Sequence, residues 1–389
     1  MTQLSEREVQ GIVQHFEKLA DPRSSINRKH LLTDVIVIAM CGVCAGADGP
    51  EAIVTWARTQ VEWLRKYLAL PSGLPSHDTV GRVLEALNPL AFQECFVCWL
   101  QSLMGSAEPA GEAGVNLQRQ VAIDGKTLRR SHDQRRGLGP LHLVSAWATE
   151  QGITMGQLAT EQKSNEITAI PQLIERLDLK DAVVTIDAAG CQKNIAAAII
   201  AKEGDYLLAL KGNHEKLYEA AQDLFEEHLE DDFARIPVSR FTETETSHGR
   251  TEQRFYYQIT APKTLPGYEQ WKDLKTIGVA IRIAQIGDKE ICDTRYFLSS
   301  LPREAKSFAR YARGHWSIEN TLHWSLDMTF REDESRVRGR KIADNLGWLR
   351  RIALTLIKQH PGKESLVMKR RLCGWDIDFL MQVLTGKAT

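Results

Sequence analysis

The stretch Val183-Val184-Thr185-Ile186-Asp187-Ala188-Ala189-Gly190 decides the fold class. Four β-branched residues run without polar interruption, the pattern of a strand buried on both faces in a sheet with helices on each side. The run stops at an acid followed by small residues. An acid there costs free energy unless it is paired, hydrated or bound to metal. Alone, Asp187 reads equally well as a turn or cap residue. A second stretch repeats the pattern: Val121-Ala122-Ile123-Asp124-Gly125. Asp124 is expected to end its strand, with Gly125 turning the backbone away and leaving the carboxylate facing a cleft.

Outward from these two acids the periodicity predicts strands over Gln120–Asp124, Leu141–Thr149 and Ile153–Glu161, the last two joined as a hairpin across Gln151-Gly152. A helix follows over Thr168–Leu177, with Thr168 as cap and Pro171 in the first turn. A strand over Ala182–Asp187, a helix over Cys191–Lys202 and a strand over Asp205–Leu210 complete the order β-β-β-α-β-α-β. An acidic helix, Gly212–Glu230, comes next, and then strand-like runs within Arg240–Ile259 and Thr276–Ser300 that read as a β-rich insertion. Long helices are expected over Ala305–Asp327 and Lys341–Gln359. Ser5 to about Gly105 reads as helices, with Val9, Ile12, Val13 and Phe16 at helical spacing. Within it, Ser76 or Asp78 caps an amphipathic segment that reads equally as a DNA-recognition helix or an ordinary packed one. The expected division is a helical N-terminal domain over 1–105, a linker over 106–118, a catalytic core over 119–211 and 301–360, the insertion over 212–300 and a tail over 361–389.

If the first and fourth strands are neighbours, Asp124 and Asp187 arrive side by side and repel each other. Divalent cations relieve that repulsion. Mg²⁺, with Mn²⁺ as a substitute, suits a few carboxylates plus water and phosphate oxygens. A pair of such ions supports in-line phosphoryl displacement. A third ligand is expected from a helix on the same sheet, and Gly314-His315-Trp316-Ser317-Ile318-Glu319-Asn320-Thr321-Leu322-His323 offers Glu319. His315 and His323 lie four residues to either side, on one helical face. A His/Glu/His site for one metal is the competing reading, but one helix poorly aims three such ligands at one ion. The histidines and Arg313 are expected to contact phosphate or orient the glutamate. Trp316 and Trp324 read as core aromatics first and base-stacking groups second.

The chain has 389 residues, 43% hydrophobic and 25% charged, enough apolar material for a large core. Its formal net charge of −1 looks unpromising for a nucleic-acid binder, but the charge is segregated. Residues 331–371 hold 12 Lys/Arg against 5 Asp/Glu, and residues 213–232 hold 8 Asp/Glu against 1 Lys/Arg. Lys126, Arg129, Arg130, Lys211, Arg336, Arg338, Arg340 and Lys341 are therefore candidate phosphate contacts, with a solvated charged face as the plain alternative. Met1–Gln14 lacks a signal-peptide pattern, and the longest apolar run, Val35–Ala47, is shorter than the roughly 20 residues that span a bilayer. A cytoplasmic, nucleoid-associated protein with no membrane contact is expected. Among seven cysteines, Cys41/Cys44 and Cys95/Cys98 could supply four zinc thiolates, but both pairs sit in apolar helical runs that favour packing roles.

Several segments together resemble a known family: HFEKLADPRSSINRKHLLTDVIVIAMCG (15–42), VAIDGKTLRRS (121–131), KSNEITAIPQLI (163–174), VVTIDAAGCQKNIA (183–196), DYLLALKGNHEKL (205–217), HWSIENTLHWSLDMTFRED (315–333) and ADNLGWLRRIALTLIK (343–358). They are similar to bacterial insertion-sequence transposases of the ISAs type, which include the H-repeat-associated proteins, over nearly the whole chain. The resemblance implies an α/β fold with a ribonuclease-H-like mixed sheet, and Asp124, Asp187 and Glu319 as the metal-holding catalytic D, D and E. It further implies cleavage of double-stranded DNA at the element's ends by water, followed by attack of the freed 3′ hydroxyl on target DNA. A homodimer on DNA is expected from the need to pair two ends. The competing expectations are a DNA-binding relic that no longer transposes, and a nuclease of the same fold without strand transfer. Related transposases often carry Arg four residues before the third acid and Lys seven after it. Here those positions are His315 and Leu326, so the hairpin chemistry tied to that signature does not transfer.

Overall fold

A computed structural model describes residues 14–24, 26, 28–104, 118–133, 136–160, 165–247, 250–286 and 289–386. The expected linker, 106–118, and the apolar positions Val9, Ile12 and Val13 lie outside the described residues, apart from Gln118.

One sheet of nine strands organises the chain, in the order β3-β2-β1-β4-β5-β9-β8-β7-β6. Strands β1 (Arg119–Leu128), β2 (Leu141–Ala148) and β3 (Ile153–Thr160) form the expected antiparallel meander. The β2–β3 turn places Gly152 at φ +67°, a conformation glycine adopts without steric cost. Strand β4 (Ala182–Ile186) lies parallel to β1, and β5 (Asp205–Leu210) parallel to β4. The expected insertion strands do not form a separate sheet. β6 (Val238–Ser247), β7 (Arg250–Thr260), β8 (Thr276–Ile286) and β9 (Lys289–Ser299) form an antiparallel run that joins the first sheet where β9 pairs with β5.

Before β1 the described elements are helical: α1 (Leu32–Cys44), α2 (Pro50–Thr59), α3 (Val61–Leu64), α4 (His77–Ala86) and α5 (Pro89–Met104). The Ser76 side chain caps α4 by accepting from the Thr79 N–H, as its sequence position predicts. Two helices cover one face of the meander and β4: α6 (Glu166–Arg176) and α7 (Lys193–Ala201). They bury Ile170, Leu173, Ile174, Ile195 and Ile199 against Val121, Ile123, Val184 and Ile186. Helix α6 begins earlier than expected, so Thr168 is inside it, and its hydroxyl donates to the Asn165 carbonyl. Pro171 falls in the second turn, not the first, where it leaves the carbonyl four residues back without its helical donor. The acidic helix is α8 (Glu215–Glu230).

On the other face, α9 (Ala305–Ser317) runs into a π-helical turn (Ile318–His323) and then α10 (Trp324–Met328). The long helix α11 (Arg340–Gln359) shares one core with α1, α2, α4 and α5. Residues 361–389, expected as a tail, contain α12 (Leu366–Trp375) and α13 (Ile377–Thr385), whose Cys373, Leu380, Val383 and Leu384 enter that same core. Cys41 and Cys44 are buried in it beside Cys373, and burial pushes the Cys41 thiol up to about 12. No helix among the described residues is long and apolar enough to cross a membrane.

Candidate functional site

The register of β1 against β4 positions the two aspartates. Ile123 pairs with Ile186 in the parallel ladder, so Asp124 and Asp187 are the next residues on neighbouring strands. Adjacent strands lie roughly 4.8 Å apart. The two acids are nonetheless held differently. Asp187 ends β4 as expected, and its Oδ1 accepts from the N–H groups of Ala189 and Gly190 at 3.0 and 3.2 Å. Asp124 does not end its strand, because β1 continues through Gly125 to Leu128. Gly125 is needed for a different reason than a turn: a Cβ there would stand 2.3 Å from His142 Nε2 and 2.4 Å from Glu166 Oε1. Glycine permits close approach of two side chains to the backbone beside Asp124.

Gln120, Ala122 and Asp124 alternate onto the sheet face that carries Thr185, the partner of Ala122. Helix α9 docks on this face. Gln120 Nε2 donates to the Tyr311 carbonyl at 2.8 Å and to Thr185 Oγ1 at 3.0 Å, and Gly314 leaves room for the Gln120 amide. One turn on, His315 Nδ1 is 3.1 Å from Thr185 Oγ1. The next turn is the π segment, in which the Trp324 N–H reaches the Glu319 carbonyl five residues back. Such wide turns recur at functional sites. His323, at the end of that turn, places Nδ1 3.5 Å from Asp124 Oδ2. Thus the two histidines bracketing Glu319 meet the two aspartate-bearing strands.

Burial pushes the Asp124 carboxyl up to about 8, and the charges of Asp187, Glu166 and Glu319 add to the effect against a hydrogen bond from the Gly125 N–H. Asp187 and Glu319 line one cleft of about 460 Å³ together with Lys211, Arg295, His315 and Trp316. Mutual repulsion around a buried Asp124 is the electrostatic condition that a divalent cation relieves, and an all-carboxylate set of hard oxygen donors suits Mg²⁺ or Mn²⁺. The donor set therefore fits the cation. Among the described residues, no three His, Cys, Asp or Glu side chains are gathered closely enough to hold a metal as they stand.

The insertion strands mount the helix that carries Glu319. The Glu304 side chain caps α9, and the Glu304 and Ala305 N–H groups donate to Gln258 Oε1 and Ser239 Oγ at 2.7 and 2.9 Å. Phe308 packs against Tyr256 and Phe297 and lies directly over Gly278. Arg313 pairs with Glu243 and Glu245 at 3.0 and 3.1 Å, and Arg295 lies 4.3 Å from the Trp316 ring centre.

Several residues expected as phosphate contacts are buried or paired within the protein. Lys126 is 7% exposed and held by Asp327 and Asp333 at 2.5 and 3.1 Å. His315 and His323 are also enclosed: burial lowers His315 to about 4 and His323 well below its ordinary value. Both are neutral near pH 7 and face the sheet. Arg313 is committed to the insertion's glutamates, and Arg340 donates to the Gly139 carbonyl at 2.8 Å. Arg129, Arg130, Lys211, Arg336, Arg338 and Lys341 are exposed, Arg129 with Asp333 3.3 Å away. The basic 331–371 region overstates its surface charge, because Arg350, Arg351, Lys369 and Arg370 are buried. Leu326 is fully buried.

Sequence reasoning passed over Glu166, His142 and Glu332. Glu166 lies in the KSNE stretch, where an acid beside a helix start reads as an ordinary first-turn residue. Its one signal was Gly125, a glycine inside a strand, which marks close approach.

A sheet whose central parallel strands deliver acids beneath a third on an overlying helix is the framework of an α/β enzyme. The comparisons specify it further. Residues 116–356 match the family described as "Transposase DDE domain", and residues 13–100 match "DDE_Tnp_1-associated". The chain belongs to the DDE transposase family. It is similar to "Putative transposase YncI" of Escherichia coli O157:H7, at 37% identity over 97% of this chain and 95% of the relative. It is likewise similar to "H repeat-associated putative transposase YhhI" of Escherichia coli K12, at 35% identity over 97% of this chain and 99% of the relative. Among solved structures, a piggyBac transposase synaptic complex with hairpin DNA aligns at a TM-score of 0.41 and 10% identity, over 98% of this chain and 80% of the other.

Proposed function

We propose that this transposase cleaves double-stranded DNA at the ends of an insertion sequence and joins the freed 3′ hydroxyl to target DNA, with Asp124, Asp187 and Glu319 as the carboxylates that hold Mg²⁺ or Mn²⁺. The observation that carries this reading is the Ile123–Ile186 pairing, which sets Asp124 and Asp187 on adjacent strands under the helix bearing Glu319. The meander followed by parallel β4 and β5 supports a ribonuclease-H-like core. Bound there, divalent cations supply activation of the attacking oxygen and charge neutralisation on the leaving one.

The chain's own residues hold the carboxylates in place. His323 stands against Asp124, backbone N–H groups fix Asp187, and His315 ties the Glu319 helix to β4. Because both histidines are neutral near pH 7, they orient without adding charge that competes with a cation. Lys211, in the cleft, and exposed Arg129, Arg130, Arg336, Arg338 and Lys341 are the groups available for phosphate. The helices before β1 serve DNA recognition, with the exposed His77, Asp78 and Arg82 of α4 as its polar face. Pairing of two element ends calls for two copies of the chain.

The test is incubation of the protein with Mg²⁺ or Mn²⁺, DNA carrying the element's ends and a supercoiled target. Metal-dependent nicking at the ends and joined products, both absent with Asp187→Asn, are expected. Equal activity of the two proteins would refute the assignment, and nicking without joining would reduce it to a nuclease.

A further inference from the structure

We propose that Glu166, beside His142 behind β1, is a positioning residue whose carboxylate strengthens cation binding at Asp124. This rests on the assignment of Asp124 to the metal site made above. Glu166 opens α6 and is 5% exposed, yet it is aimed away from solvent at the strand that carries Asp124. Its Oε1 occupies the space a side chain at residue 125 would need, 2.4 Å from the ideal Cβ position, so the carboxylate is pressed onto the backbone next to Asp124. His142, 1% exposed on neighbouring β2, stands on the other side: Nε2 lies 3.3 Å from Glu166 Oε2, and Nδ1 lies 3.0 Å from the hydroxyl of Thr127, the residue opposite on β1.

A link between α6, β2 and β1 needs only shape, and an apolar or amide side chain would provide it. A buried acid is expensive in that role. What a carboxylate adds is negative charge directly beneath a cation site, placed so that solvent does not screen it. Sites of this kind depend on groups behind the ligands, which orient them and set their basicity, and removal of such a group weakens metal affinity by about 10-fold or more.

The experiment compares the full-length protein with Glu166→Gln, Glu166→Asp and Asp187→Asn, measuring free Mn²⁺ by electron paramagnetic resonance during titration and end cleavage across a range of Mn²⁺ concentrations. Glu166→Gln keeps the shape and loses the charge. It is expected to raise the half-saturating Mn²⁺ about 10-fold in both measurements, with the cleavage rate recovered at saturating metal. Glu166→Asp, which keeps the charge, is expected to recover part of the affinity. If Glu166→Gln binds Mn²⁺ as the parent does while Asp187→Asn does not, Glu166 is a structural staple only and the inference is overturned. If Asp187→Asn also binds and cleaves normally, the metal-site assignment itself has failed. A Glu166→Gln protein that loses its folded circular dichroism spectrum, while Glu166→Asp binds Mn²⁺ no better than Asp187→Asn, also overturns the inference.

Discussion

Glu332 is a residue whose removal the packing makes costly. It is fully buried, and its Oε1 accepts from Arg351 Nη1 at 2.9 Å while Arg350 Nη1 stands 3.9 Å away. Arg351 is itself fully buried; its Nη1 also donates to the Gly347 carbonyl and its Nε to the Ser145 hydroxyl of β2. Glu332→Ala would leave the Arg351 guanidinium without its carboxylate in the interior, while Arg350 keeps the Asp48 carbonyl and the Ser335 hydroxyl. Breaking a buried pair from one side costs about 3–5 kcal/mol, because the partner's charge remains without compensation. Against a total stability on the order of 5–15 kcal/mol, that is a large share. Urea unfolding followed by tryptophan fluorescence should show the midpoint falling by about 1–2.5 M for a slope of roughly 2–3 kcal/mol per M. Adding Arg351→Met to Glu332→Ala replaces charge with apolar volume and should recover much of the loss. A Glu332→Ala protein within about 1 kcal/mol of the parent would refute the claim that this carboxylate compensates the buried arginines.

Gly125→Ala should destabilise by about 1–3 kcal/mol or more, since the new methyl meets His142 and Glu166 well inside contact distance, and thermal unfolding would reveal it. An unchanged melting temperature would show that the two side chains move aside freely. Burial raises the Asp344 carboxyl to about 6 from an ordinary 3.8, against a hydrogen bond from Gln157, so its contribution to stability is present below about pH 3.8 and lost as pH rises through 6. Asp344→Asn should therefore remove up to about 3 kcal/mol of that pH-dependent fall, and an unaltered stability profile between pH 4 and 7 would contradict it. Lys211→Ala should lower the salt slope of DNA binding by about one, whereas Lys126→Ala should leave the slope alone and reduce thermal stability. A reduced slope for Lys126→Ala would mean that its pairing with Asp327 and Asp333 opens on DNA.

Local pattern carried the strands furthest. The Val183–Ile186 run and the Asp205–Leu210 run were readable because both faces of a central parallel strand demand apolar residues, and they appear as β4 and β5. The β-rich insertion was readable as strands, but not as a continuation of the same sheet. That depends on β9 pairing with β5 across more than eighty intervening residues, and no local pattern encodes such pairing. The end of β1 was misjudged for a related reason. Gly125 looked like a turn, and only the arrival of His142 from β2 and Glu166 from α6 shows that it is a clearance.

Charge was legible as composition and misleading as surface. Lys126 follows Asp124 by two residues and looked like a phosphate contact, yet Asp327 and Asp333 fold over it from a distant part of the chain. The histidines around Glu319 were singled out by spacing. The π turn and the docking of α9 send one to Thr185 and the other to Asp124, whereas the expectation was that they contact phosphate or orient the glutamate.

The most direct test of the central claim replaces the divalent cation with Fe²⁺ and generates hydroxyl radicals with ascorbate and peroxide, so that the backbone is cut beside the bound ion. The account predicts three clusters of cuts, near residues 124, 187 and 319, all suppressed by excess Mg²⁺ and by Asp187→Asn. Cuts near only two of these positions, or at sites unaffected by Mg²⁺, would contradict a metal centre shared by Asp124, Asp187 and Glu319.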